Sequence, residues 1–117
     1  MATLQSTRAA SIGLVFPGQG SQSVGMGRAL VEADPSIRIL YEEASSVLRY
    51  DIGALCFEGP VERLNLTEYT QPALLVSSIA ALQAFKPLGI APIAVAGHSL
   101  GEYSALVAAG GMTYREA

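Results

Sequence analysis

Charge is scarce in this sequence. Asp, Glu, Lys and Arg make up 15% of its 117 residues, against about 25% in an average soluble protein. It has no tryptophan, one histidine and one cysteine. A lone cysteine forms no intrachain disulfide, and one Cys with one His cannot build a metal cage, so no metal site is expected. Seven basic and ten acidic residues leave a net charge of −3. No basic stripe exists to track phosphates, which argues against a nucleic-acid partner. No run of about 18 apolar residues occurs, so no membrane span is expected. The segment Met1–Ser11 carries one charge, Arg8, and no apolar core suited to a secretory signal. It reads as a flexible tail, and a cytoplasmic location is expected. Cys56 fits a small buried apolar residue. Without a secretory signal, the glycosylation triplet Asn65-Leu66-Thr67 reads as coincidence.

What is abundant is apolar: half of all residues. The length suits one domain rather than two. Ile12 to Phe16 (IGLVF) reads as a strand buried on both faces, ended by Pro17-Gly18. GQGSQSVGMG follows, a loop with four glycines between Gly18 and Gly27. Gly25 to Ala33 suits a short helix. Asp34-Pro35 pairs an N-cap with a proline at the first helical position. Ile37, Leu40, Tyr41, Ala44, Val47 and Leu48 then form one helical stripe ending near Tyr50. Residues 51–68 read as short turns broken at Gly53, Gly59 and Pro60.

Thr70 to Phe85 is apolar on nearly every side, the pattern of a helix buried in a larger body. Ile93 to Ala96 is a second buried-strand candidate, Glu102 to Ala109 a helix of small residues. Thr113-x-x-Glu116 matches a capping box opening another helix. This order implies an α/β fold: a parallel sheet with helices flanking both faces. Two strands make a poor sheet, and both the apolar helix and the last helix ask for more protein.

Gly97-His98-Ser99-Leu100-Gly101 matches G-x-S-x-G between a strand and a helix, the setting of a nucleophile elbow. So tight a reversal strains the central residue and lifts its side chain clear of the sheet. Flanking glycines avoid collisions with the neighbouring strand and helix. The helix N-terminus aims free N–H groups at a developing oxyanion. Ser99 as a plain N-cap is the alternative, since Ser99-x-x-Glu102 is itself a capping box. A serine needs a base. His98 adjoins Ser99 on a turn where neighbouring side chains diverge, which suits a neutral support in the floor of the site.

Gly18-Gln19-Gly20 after a strand resembles the start of a dinucleotide fingerprint, but Ser23 stands where the third glycine belongs, and no phosphate-loop lysine follows. Loops at the carboxyl ends of parallel strands face one crevice. The glycine loop is therefore expected to face the serine turn, with Gln19 the natural second oxyanion donor.

Three motifs, FPGQGSQ (Phe16–Gln22), YTQPA (Tyr69–Ala73) and GHSLGEYSA (Gly97–Ala105), resemble the malonyl-CoA:acyl carrier protein transacylase family. The resemblance runs from about Ile12 to Ala117 and covers only the N-terminal portion of that family's catalytic domain, leaving residues 1–11 as the tail. It implies an α/β-hydrolase-like core, incomplete at the C-terminus. It also implies a ping-pong transfer in fatty acid biosynthesis: malonyl-CoA malonylates Ser99, and the phosphopantetheine thiol of acyl carrier protein takes the group. No cofactor is implied, since both thioester carriers are substrates. By the same resemblance Leu100 and Gln19 supply the oxyanion hole, and His98 and Gln71 support the pocket. Read alone, Gln71 is only a helix-start residue beside Pro72. The family's general-base histidine, its carboxylate-binding arginine and its inserted subdomain are expected beyond residue 117. The alternatives are a polyketide synthase-type acyltransferase, a serine hydrolase of the α/β-hydrolase type, and an inactive truncated fragment. FPGQGSQ and YTQPA are not expected in such a hydrolase.

Overall fold

The computed structural model describes residues 11–117, so the expected tail lies, apart from Ser11, outside the described residues. Strand β1 (Gly13–Phe16) is followed by helices α1 (Arg28–Ala33), α2 (Arg38–Leu48), α3 (Ile52–Glu58), α4 (Val61–Leu64) and α5 (Thr67–Phe85). Strand β2 (Ala94–Gly97) and helix α6 (Gly101–Ala108) complete the order. The two strands pair in parallel, with Leu14 opposite Val95 and Phe16 opposite Gly97. The α/β class and the parallel sheet therefore stand.

Local chemistry explains the helices. Asp34 Oδ1 accepts from the Ser36 N–H and caps a 3-10 turn, Pro35–Ile37, that runs into α2. Arg49, at φ 63°, ends α2 two residues before the expected stop at Tyr50. Helix α3 runs unbroken through Gly53, where a break was expected. Asp51 Oδ1 caps it through Ala54 N–H at 2.9 Å, and Gly53 is buried against Tyr41. The break falls at Gly59-Pro60, as the composition suggests.

Helix α5 starts three residues earlier than expected. Thr70, fully buried, donates through Oγ1 to the carbonyls of Leu64 and Leu66, which extends the hydrogen-bonded unit backwards. Pro72 therefore sits inside the helix, and so does Gln71, which is not at its start. This helix is central: α1, α2, α3, α4 and α6 all pack on it. The core gathers Val31, Ile37, Tyr41, Ile52, Leu55, Cys56 and Leu64 around Ala73, Val76 and Ala80. Cys56 is fully buried, and that burial pushes its thiol pKa up to about 11.

The strands depart most from expectation. Phe16 is buried, but Val15 is 82% exposed and Ile93, just before β2, is 74% exposed. Side chains alternate across a sheet. Leu14, Phe16 and Val95 face the helices, while Val15, Ala94 and Ala96 face away. Helix α6 packs on both strands. Among the described residues nothing covers the outward face, so neither strand is buried on both faces. Thr113 and Glu116 do form the reciprocal bonds of a capping box, at 2.9 and 3.2 Å, and residues 114–116 form a turn. No helix among the described residues is long and apolar enough to cross a membrane.

Candidate functional site

The turn between β2 and α6 is built by steric exclusion. A Cβ on Gly97 would collide with the backbone of Gly101 and Glu102, at the start of α6. A Cβ on Gly101 would collide with the carbonyls of Phe16 and Pro17, at the end of β1. Only glycines at both positions let strand, turn and helix pack this closely. Between them Ser99 takes φ 53°, the left-handed region, which costs a non-glycine residue about 1–2 kcal/mol. Its side chain is exposed. Its carbonyl accepts from Glu102 N–H at 3.0 Å, and the His98 carbonyl accepts from Gly101 N–H at 2.9 Å. Ser99 Oγ makes no capping bond to Glu102; α6 has no side-chain cap.

The glycine loop lies alongside. His98 N–H donates to the Phe16 carbonyl at 3.0 Å, and Gly18 is buried against His98, where a Cβ would meet the His98 carbonyl at 2.5 Å. The two loops thus leave the carboxyl edge of the sheet side by side. Gln19, exposed, follows Gly18 directly, and Leu100 opens α6. Neither backbone N–H is engaged in a backbone hydrogen bond among the described residues. His98 is exposed and shares no hydrogen bond with Ser99 there.

Gln71 belongs to a different element. It stands exposed on α5 and lines a cavity of about 780 Å³ together with Leu100, Thr67, Leu75, Tyr103 and Tyr114. Ser99, His98 and Gln19 do not line that cavity, although Leu100 adjoins Ser99. Among the described residues no cluster of His, Cys, Asp and Glu is arranged to hold a metal.

Sequence reasoning missed Asn65 and Thr67. Thr67 Oγ1 accepts from Gln19 Nε2 at 2.9 Å, and Asn65 Oδ1 accepts from Gln22 Nε2 at 2.9 Å. Their signal was two polar residues facing two loop glutamines, hidden inside a triplet that reads as a glycosylation site.

This is an α/β protein in which a serine in a left-handed turn joins a strand to a helix beside a glycine loop. Residues 14–117 match the acyl transferase domain, and the chain belongs to that family. It is 53% identical over 106 residues to the malonyl CoA-acyl carrier protein transacylase of Bacillus subtilis, covering 91% of this chain and 33% of that protein. The crystal structure of an acyl carrier protein S-malonyltransferase from Vibrio cholerae superposes with a TM-score of 0.86 at 50% identity, covering 91% of this chain and 35% of that one. A type II PKS acyl-carrier protein in complex with its malonyl-transacylase matches with a TM-score of 0.85 at 50% identity, over 91% of this chain and 35% of that one. The chain spans about a third of the length of these relatives.

Proposed function

We propose that this chain is the N-terminal, nucleophile-bearing portion of a malonyl transferase of fatty acid biosynthesis, and that the β2–α6 turn is the nucleophile elbow of a hydrolase-like core. The observation that carries the reading is Ser99. It is held in the left-handed region at a helix start, in a chain about half identical to malonyl transacylases. Ser99 Oγ attacks the thioester carbonyl of malonyl-CoA, and its proton passes to a base other than His98. The carbonyl oxygen takes up negative charge and accepts hydrogen bonds from the N–H groups of Leu100 and Gln19. The carbon–sulfur bond then breaks, and coenzyme A leaves as the thiol after taking a proton. The phosphopantetheine thiol of acyl carrier protein attacks the malonyl-serine ester, and Ser99 recovers its proton. Gln71 and His98 shape the pocket. No metal or cofactor takes part.

Incubating the full-length gene product with malonyl-CoA should place a malonyl group on the peptide containing Ser99. Adding acyl carrier protein should discharge it, and Ser99→Ala should abolish the adduct. Hydrolysis without transfer would favour a serine hydrolase and sink the proposal.

A further inference from the structure

We infer that Thr67 and Asn65 are positioning residues that fix the oxyanion loop Gly18–Gln22 against the serine turn. The inference rests on the proposed role of the Gln19 N–H. An oxyanion donor acts only if it is held in place before charge develops. The loop that carries Gln19 is poorly suited to hold itself. Gly18 and Gly20 flank Gln19, Gly20 lies at φ 110°, and its internal turn bond, Ser21 N–H to the Gly18 carbonyl, is long at 3.4 Å.

Two side-chain links supply the missing constraint, one from Gln19 itself and one on the peptide that follows it. The Gln19 amide itself donates from Nε2 to Thr67 Oγ1. Gln22 spans the other side: its Oε1 accepts from Gly20 N–H at 2.8 Å, and its Nε2 donates to Asn65 Oδ1. The Gly20 N–H belongs to the peptide that follows Gln19, so fixing it fixes the peptide plane beside the donor.

The anchor points belong to a segment tied down by its neighbours. Asn65 and Thr67 flank the α4–α5 junction, where Thr70 Oγ1 bonds the carbonyls of Leu64 and Leu66. The Arg63 guanidinium lies 4.4 Å from the Tyr69 ring centroid, and that ring meets Tyr50 edge-on at 5.2 Å. Neither Asn65 nor Thr67 need touch substrate; each acts through a loop glutamine.

The test uses Thr67→Val, Thr67→Ser and Asn65→Ala in the full-length gene product, with two readouts. Hydrogen exchange at the Gly20 amide, which Gln22 Oε1 accepts from, should accelerate in Thr67→Val and Asn65→Ala, and return toward the parent rate in Thr67→Ser. In steady-state transfer, kcat should fall about ten- to a hundredfold in Thr67→Val and Asn65→Ala, with KM for malonyl-CoA little changed and the melting temperature kept. Thr67→Ser should restore kcat. Unchanged exchange in Thr67→Val and Asn65→Ala overturns the inference, as does a kcat loss that Thr67→Ser fails to rescue. If Ser99 takes no malonyl group, the function reading fails by itself, and the exchange comparison still decides whether these residues hold the loop.

Discussion

At the scale of single residues, the serine turn depends on what is absent from it. Gly101 sits so close to the Phe16 and Pro17 carbonyls that no side chain fits, and the obstacle is strand backbone, which cannot swing aside. Gly101→Ala should therefore cost about 3 kcal/mol or more. Gly111→Ala is the control. Its Cβ would make ordinary contact with Leu106 at 3.5 Å, and stability should change by about 0.5 kcal/mol or less. Denaturant unfolding of both variants checks the pair; equal losses would mean the turn tolerates a methyl group. The spacing of the two glycines made this constraint legible in the sequence. The Asn65 and Thr67 links were not legible, because a hydrogen bond spanning 48 residues leaves no local periodicity. Its two ends meet only after α1 to α4 have folded between them.

At the scale of elements, legibility followed the source of the signal. Caps and stripes are local, so the Asp34-Pro35 start and the Thr113–Glu116 box both appear where the residues stand. Propensity alone misled at Gly53, where packing against Tyr41 and the Asp51 cap outweigh glycine's dislike of helices. Pro72 likewise sits inside α5 because tertiary packing holds the helix around it. The capping box carries its own pH dependence. Hydrogen bonds from the Thr113 backbone and side chain hold the Glu116 carboxyl below the ordinary glutamate range. A depressed carboxyl pKa means the interaction is complete above that ordinary range and is lost as pH falls through the folded value. The Thr113 amide resonance should thus titrate on acidification, with its midpoint below that of a free glutamate. Tyr114, which donates to the Leu40 carbonyl at 2.7 Å, should stay docked through the same range. A Thr113 amide shift that does not move with pH would show that the box does not form in solution.

At the scale of the molecule, burial is lopsided. The helical core around α5 is dense, with Ala73, Ala80, Ile52, Cys56 and Leu64 fully buried. Among the described residues the sheet is half dressed: α6 covers one face, and Val15, Ala94 and Ala96 lie bare on the other. The apolar content that the sequence shows is real core content, but strand composition could not reveal which face has a cover. A run such as IGLVF reads the same whether one layer or two pack on it. An uncovered apolar strand face between free edges is an adhesive surface. The 117-residue chain on its own should therefore self-associate, with a sedimentation coefficient that rises with concentration. Val15→Lys, which places a charge at the centre of the bare face without touching the helical core, should shift it toward monomer at the same concentration. A monodisperse monomer across the range would show that this face is tolerated in water. Association unchanged by Val15→Lys would move the contact elsewhere, toward the apolar cavity between α2, α5 and α6, where Val47 and Tyr103 are exposed.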